Sequence, residues 1–297
     1  MRTLTALWER AFLVERPSVS LALFRWFVAL TVGCHMIPSL LPLADNYLST
    51  AFKTQNPSFF PPPLLAWVAH SPDALVYVMV GCFLLTWLSF TVGCYAQMSC
   101  ILMTLACYYF YALNDLHIGT LSFDILLVTL VLMCLTPYHG DAFSLDALRR
   151  DQRLLVIRPR PLFLQRLLQL QMASTYFFTG LNKIIGGGNW LTDNPIYYLV
   201  HSPEGSVVKE FWGREWLATQ PQLCYVIGLT VIISELALPV LWFIRRTRLA
   251  AILIGWCFHV LLLVTLHVPT IFFFLFPAQI ALFWPPEQVV TWLTRRR

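Results

Sequence analysis

The segment SVSLALFRWFVALTVGCHMIPSLL, residues 18–41, contains a single charged side chain, Arg25. A helix needs about 20 mainly apolar residues to cross a bilayer, whereas the hydrophobic part of a cleavable signal peptide has only about 7–15. We therefore expect this segment to stay in the protein as its first membrane-spanning helix.

The composition of the whole chain is that of a membrane protein. Of the 297 residues, 58% are hydrophobic and 12% are charged, whereas soluble domains carry about 25% charged residues. The apolar stretches predict an all-α integral membrane protein with about eight transmembrane helices. The last two stretches are so close together that they form either two helices or one broken helix. The eight stretches are residues 18–41, 74–93, 97–113, 121–136, 162–185, 222–243, 249–267 and 269–284.

The distribution of lysine and arginine predicts the orientation of these helices, because positive residues concentrate in cytoplasmic loops. With a cytoplasmic N-terminus, the inner segments hold 14 of the 20 Lys and Arg residues and the outer segments hold three. We therefore expect both termini in the cytoplasm. The same orientation places a polar site at the end of the fifth span on the outward-facing side.

The domain organisation predicted from the sequence is simple. Residues 1–17 have apolar side chains at helical spacing, which predicts an amphipathic helix on the inner membrane surface. Residues 18–285 are the transmembrane domain, and residues 286–297 are a basic cytoplasmic tail. The eight cysteines lie in or beside apolar stretches without a CxxC pair, so we expect no disulfide framework and no metal site. The sequence has no basic run interleaved with aromatic residues, so it does not predict binding of nucleic acid.

Ionisable residues inside predicted spans are costly and usually serve a function. Arg25 and Glu235 have opposite charges, and both are expected on the order of 11 Å from the inner ends of their spans. The sequence therefore predicts a structural ion pair between Arg25 and Glu235. Other polar residues collect near the outer side of the bundle, together with Lys183. They are Asn114, His117, Asp124, His259 and His267.

The fifth span has a polar face. Residues at spacings of three and four lie on one side of a helix, and in this span those residues are Gln165, Gln169, Met172, Tyr176, Thr179 and Lys183. The face is either a hydrogen-bonded seam between helices or the wall of a cavity with Lys183 at its mouth. A partly buried lysine can serve as a base toward an acidic group such as a hydroquinone hydroxyl, form a Schiff base, or bind a lipid phosphate.

The stretch QMASTYFFTGLNK, residues 171–183, is followed by Trp190 and by IYYL at residues 196–199. These residues resemble the central motif of the vitamin K-dependent gamma-carboxylases. They also resemble the wider bacterial group that shares the carboxylase membrane region, the HTTM (horizontally transferred transmembrane) domain. Weaker similarity to this family extends over nearly the whole chain, including residues 114–117 and 137–146.

The resemblance implies an enzyme that uses reduced vitamin K, or a menaquinol-type quinol, with oxygen and carbon dioxide. Lys183 would be the base that deprotonates the hydroquinone, and epoxidation of the quinol would be coupled to carboxylation of a glutamyl residue. The resemblance assigns His117 a catalytic role as well. We expect supporting or substrate-binding roles for Tyr176, Thr179, Asn114, Asp124, His259, His267 and Trp190.

Two other functions fit the same sequence. Bacterial members of the group occur in peptide-toxin maturation, so the protein is alternatively a non-carboxylating member that handles a partner peptide. The second alternative is a non-enzymatic membrane protein that binds a quinone or lipid. In each case we expect a multi-pass protein of the bacterial inner or cell membrane. The expected partners are membrane lipid, a quinol and a peptide or protein substrate.

Overall fold

The computed structural model describes residues 6, 8–54, 62–116, 118–186, 190–203 and 208–295. A turn of π-helix spans Glu9–Leu13, a 3₁₀ turn spans Pro137–Gly140, and two short strands, β1 (Glu15–Pro17) and β2 (Pro159–Pro161), pair in antiparallel fashion. Most other described residues are α-helical. The helices are α1 (Val19–Leu40), α2 (Leu43–Asn46), α3 (Pro62–Ala69), α4 (Asp73–Val92), α5 (Ala96–Leu113), α6 (Leu121–Met133), α7 (Leu145–Asp151), α8 (Phe163–Ile185), α9 (Pro195–Val200), α10 (Arg214–Ala218), α11 (Pro221–Phe243), α12 (Arg248–Thr265), α13 (Thr270–Ala281) and α14 (Pro286–Thr294).

Each of the eight apolar stretches of the sequence forms a helix. In the described part of the chain, five helices are long and apolar enough to cross a membrane, namely α1, α4, α5, α11 and α12. Helix α6 has only 13 residues and is therefore about 20 Å long, less than the ~30 Å of a hydrocarbon core. The chain is thus a helical integral membrane protein. The count of eight spans and the cytoplasmic location of both termini remain predictions.

The last two apolar stretches form two helices rather than one. Helix α12 ends at Thr265, helix α13 begins at Thr270, and the two helices pack against each other. Pro269 lies immediately before α13. Because proline lacks an N–H group, it cannot donate the hydrogen bond that would continue α12 through this point.

The chain divides into two compact units. The first unit comprises Met1–Leu167 and Pro285–Arg297, and the second comprises Leu168–Trp284. Helices α1 to α7, both strands and α14 belong to the first unit. The second unit contains most of α8 and all of α9 to α13.

The described residues near both ends of the chain contain elements that the sequence did not predict. Within the surface helix expected over residues 1–17, Glu9–Leu13 form the turn of π-helix and Glu15–Pro17 form a strand, whereas residues 1–5 and 7 lie outside the described residues. The extended conformation has a local cause, since a residue that precedes proline is disfavoured in the helical region, and this holds for Arg16 and for Arg160 of the partner strand. In the expected basic tail, Pro286–Thr294 form helix α14, which packs its apolar residues against α1.

Arg25 ties α1 to the connector that follows α6. Its side chain is fully buried, and its guanidinium donates hydrogen bonds to the carbonyl oxygens of His139 (2.8 Å) and Phe143 (2.5 Å). Gly93, with φ at +68°, allows the close approach of this connector, because a Cβ there would lie 2.4 Å from the Cβ of Ser144. The Asp146 carboxylate accepts hydrogen bonds from the first backbone N–H groups of α5, which stabilises the start of that helix.

The buried ring of His139 predicts a pH dependence of stability. Burial, and then the positive charge of Arg25, lower the pKa of His139 from 6.5 to about 3. Between these two pH values the unfolded chain binds a proton that the folded chain does not. The contribution of His139 is therefore fully present above pH 6.5 and is lost as the pH falls toward 3.

We expect the folded state to lose about 2 kcal/mol between pH 7 and pH 5 through this residue. Unfolding by denaturant in detergent micelles at the two pH values measures the loss. The His139→Phe variant keeps an aromatic ring next to Phe90 but does not titrate, so its pH dependence should be smaller by that amount. Equal pH dependence in the two proteins would contradict the prediction.

Candidate active site

The polar face predicted for the fifth span is the buried face of helix α8. Gln165, Gln169, Met172 and Tyr176 are each at most 5% exposed, whereas Phe178 on another face is 62% exposed. Gln169 donates a hydrogen bond to the carbonyl of Leu282 at 2.7 Å. The lower part of the face is therefore a hydrogen-bonded helix seam, one of the two interpretations that the sequence left open.

Lys183 and Glu235 form an ion pair at the upper end of this face. Lys183 Nζ donates to Glu235 Oε1 at 2.8 Å and to Oε2 at 2.6 Å, joining α8 to α11. The side chains are only 14% and 9% exposed. The ring of Trp190 lies over the ammonium, with its centroid 5.0 Å from Nζ, which is within range of a cation–π interaction. Lys183 is therefore held by a charge on one side and by an aromatic ring on another.

Gly180 permits the close approach of α8 and α11 that creates this pair. A Cβ on Gly180 would lie 3.0 Å from the Cβ of Glu235 and 3.1 Å from the side chain of Leu236. Lys183 is three residues, and so about one turn, further along α8. Because residue 180 has no side chain, the two helices come close enough for the Lys183 ammonium to reach the Glu235 carboxylate.

We expect Gly180→Leu to destabilise the protein by about 1–3 kcal/mol, because a larger side chain forces the two packed helices apart. Thermal unfolding in detergent measures the effect. Gly81 in α4 is a matched control, since a Cβ there meets no atom within 4 Å, and Gly81→Leu should leave the melting temperature nearly unchanged. Equal effects of the two substitutions would show that the α8–α11 contact is not tight.

Tyr176 and His259 form a second polar pair on the same face, two turns before Lys183. The Tyr176 hydroxyl and His259 Nε2 share a hydrogen bond of 2.6 Å. Both residues are buried and surrounded by rings, including Trp242, Phe258 and Phe276. His259 Nδ1 has no hydrogen-bond partner among the described residues. Tyr176 and His259, expected as supporting residues, are therefore brought together by the fold.

Two other predicted residues of the second unit are placed differently. The Thr179 hydroxyl donates to the carbonyl of Thr175 at 2.6 Å, a bond within its own helix. His267 is exposed in the connector between α12 and α13. Neither residue contacts Lys183 in the hydrogen bonds and ring contacts of the described chain.

The segment between α8 and α11 is fixed by Arg214. Its guanidinium donates to the carbonyls of Val200 and Ser202 at the end of α9, and it pairs with Glu210. Helix α9 begins at Pro195, and proline is favoured at the first position of a helix. Helices α9 and α10 both pack against α11, so the described residues of this segment, 190–203 and 208–220, are a folded part of the second unit.

The predicted site residues of the first unit have structural contacts. Asn114 is fully buried, and its side-chain amide donates to the carbonyls of Asn46 and Phe52 and accepts from the backbone N–H of Thr54. The Asp124 carboxylate accepts a hydrogen bond from Tyr111 at 2.8 Å. His117, predicted to be catalytic, lies outside the described residues. Asn114 thus anchors the turn after α5 to the loop after α2.

The predicted ion pair between Arg25 and Glu235 is wrong. Glu235 pairs with Lys183, and Arg25 binds two backbone carbonyls of the first unit. The prediction measured the depth of each residue from the inner end of its own span, as if all spans ended at the same level of the membrane. In the structure α11 starts 14 residues before Glu235, whereas α8 ends two residues after Lys183, so the two helices are offset along their length.

Several important residues were not identified from the sequence as parts of a site. His139 and Asp141 lie in a connector that had only a weak family resemblance, and Trp242 stands in an ordinary apolar stretch. Asp141 accepts two hydrogen bonds from Arg160, at 2.9 and 3.0 Å. One sequence feature could have indicated that another helix packs closely beside Lys183. It is Gly180, a small residue one turn before the lysine.

Fold and site together define a class of protein: a helical integral membrane protein with a buried lysine–glutamate pair beside aromatic residues. The HTTM domain model matches residues 15–288, and the chain belongs to the HTTM domain family. This is the family of the vitamin K-dependent carboxylase. Neither the curated proteins nor the solved structures contain a match to the chain.

Proposed function

We propose that this protein is a quinol-linked membrane enzyme of the gamma-carboxylase type, in which Lys183 is the base. The observation that carries the proposal is the pair of Lys183 and Glu235, mostly buried and lying beside the ring of Trp190. Membership of the HTTM family and the resemblance of residues 171–183 to the carboxylase motif support it.

Lys183 can accept a proton only when its amine is neutral, and Glu235 is positioned to produce that form. Both carboxylate oxygens lie within 2.8 Å of Nζ. Moving a proton from Nζ to Oε1 or Oε2 replaces two buried charges by a neutral pair, which removes their desolvation cost. The resulting amine can take a proton from a weakly acidic hydroxyl. Glu235 is therefore part of the proposed base.

The neighbours of the pair fit a hydroquinone. Sites for such flat molecules are lined mainly by apolar and aromatic groups with a few polar ones. Trp190 provides an aromatic group and Lys183 a polar one. Tyr176 lies on the same face of α8 as Lys183. When bound, the hydroquinone would supply a weakly acidic hydroxyl and the reducing equivalents for oxygen-dependent epoxidation. Trp190 would contact its ring, and Lys183 Nζ would take the hydroxyl proton.

Carboxylation further requires a glutamyl substrate, so the proposed partners include a peptide or protein as well as membrane lipid. His117 remains a proposed catalytic residue, and Asp124 and His267 remain proposed supporting residues. The proposed location is the bacterial inner or cell membrane. Each of these statements depends on the carboxylase-type activity being present.

The proposal is tested in lipid vesicles that contain the purified chain, a reduced naphthoquinone, oxygen, labelled bicarbonate and a glutamyl peptide. We expect the wild type to epoxidise the quinol and Lys183→Ala to lose at least ~100-fold of the rate, the usual contribution of a general base. Lys209→Ala is the matched control, since the Lys209 ammonium donates to the backbone carbonyl of Leu263 and not to Glu235. It should retain the wild-type rate.

The measured products distinguish the candidate functions. Labelled carbon in the peptide supports carboxylation, and epoxidation without labelled carbon supports a non-carboxylating member of the family. Quinol binding without turnover supports a non-enzymatic binder. The same rate in wild type and Lys183→Ala would sink the assignment of Lys183 as the base.

A further inference from the structure

Cys100 and Cys134 bring two thiols together between helices α5 and α6. Cys100 is in the second turn of α5 and is fully buried, and Cys134 directly follows the last residue of α6. Their sulfur atoms are 3.7 Å apart. The sequence separation is 34 residues, so this contact results from the packing of the two helices and is not a local motif.

The surrounding hydrogen bonds hold both cysteines in place. Thr104 donates to the carbonyl of Cys100 at 2.7 Å, and its hydroxyl is also 3.5 Å from the sulfur of Cys134. Gln97 donates to the carbonyl of Cys134 at 3.2 Å, which satisfies one of the free carbonyls at the end of α6. The two backbones are thus fixed opposite each other.

We propose that Cys100 and Cys134 are a redox-active dithiol, which a bilayer-soluble two-electron oxidant of the quinone class converts to a disulfide between α5 and α6. Both S–H bonds break and one S–S bond forms. The quinone takes the two electrons and two protons and leaves as a hydroquinone. The inference concerns the first unit and does not depend on the base assigned to Lys183.

The bond requires only a small movement of the two sulfur atoms. Disulfide sulfurs are about 2.05 Å apart, so the two sulfurs must approach each other by about 1.7 Å from their present 3.7 Å. Rotation of the two short side chains can supply a movement of this size. Burial favours a lipid-soluble oxidant, because a water-soluble one has little access to Cys100.

The test uses the full chain in lipid vesicles and duroquinone, whose fully substituted ring resists addition of thiols. After oxidation, a maleimide blocks the remaining thiols, and non-reducing digestion with mass spectrometry identifies linked peptides. We expect a Cys100–Cys134 peptide that a reductant separates, with a protein that stays monomeric on a non-reducing gel. Cys134→Ser and Cys100→Ser should each abolish this peptide.

Cys107 provides the matched control. It lies two turns after Cys100 on the same helix and is also fully buried, so Cys107→Ser should leave the Cys100–Cys134 peptide unchanged. The absence of a Cys100–Cys134 peptide from oxidised wild type would overturn the proposal. So would linkage only between separate chains, or a link that shifts to Cys107.

Discussion

Glu235→Leu is expected to lower the free energy of unfolding by about 3–5 kcal/mol, the cost of leaving one charge of a buried pair without its partner. The Lys183 side chain is only 14% exposed, so water compensates little for the lost carboxylate. Titration with a denaturing detergent, followed by circular dichroism, measures the change.

The double variant Lys183→Met with Glu235→Leu separates structure from chemistry. Replacement of a whole buried ion pair by apolar residues is often neutral, so we expect its stability within about 1 kcal/mol of the wild type. Its quinol epoxidation should nevertheless be absent. Retention of activity in this stable variant would contradict the proposed role of Lys183.

The exposed ion pair of Arg16 and Glu287 is a matched control for the same substitution. These side chains are 47% and 45% exposed, and exposed pairs contribute at most about 1 kcal/mol. Glu287→Leu should therefore have a small effect. If Glu235→Leu is no more destabilising than Glu287→Leu, the Lys183–Glu235 pair is effectively solvated and the structural argument fails.

Arg25→Met is expected to destabilise the first unit by about 3–5 kcal/mol, because it leaves two carbonyls and the nearby Asp146 charge without the guanidinium. Arg25→Lys should recover only part of the loss, since a lysine cannot present two donors in a planar fork. Thermal unfolding measures stability, and limited proteolysis of residues 137–161 reports on the connector.

Arg150→Met is the control for this second prediction. The Arg150 side chain is 43% exposed and lies 3.5 Å from Asp141, so its loss should cost no more than about 1 kcal/mol. Comparable effects of Arg25→Met and Arg150→Met would show that Arg25 does not hold the connector in place.

Much of the fold was predictable because hydrophobicity and helical spacing are local properties. All eight apolar stretches are helices, and the burial of Gln165, Gln169 and Tyr176 follows the predicted face of α8. The same spacing correctly separated this face from Phe178. These features depend on residues three or four positions apart, and that spacing can be taken directly from the sequence.

The pairing of charges was not predictable in the same way. The end of an apolar stretch marks where hydrophobicity stops and does not show how far one helix projects beyond its neighbour. Glu235 is 14 residues from the start of α11, and yet it meets a lysine near the end of α8. The partners of Arg25 are backbone carbonyls, which leave no signature in residue types.

The distance along the chain between Lys183 and Glu235 has a consequence for biosynthesis. Glu235 follows Lys183 by 52 residues, which take roughly 3–10 s to synthesise. Helix α8 is not among the described helices that are apolar enough to span a membrane by themselves, and an inserting lysine adds up to about 3 kcal/mol. We therefore expect α8 to insert stably only after α11 has been synthesised. A chain truncated after α10 should leave α8 poorly inserted.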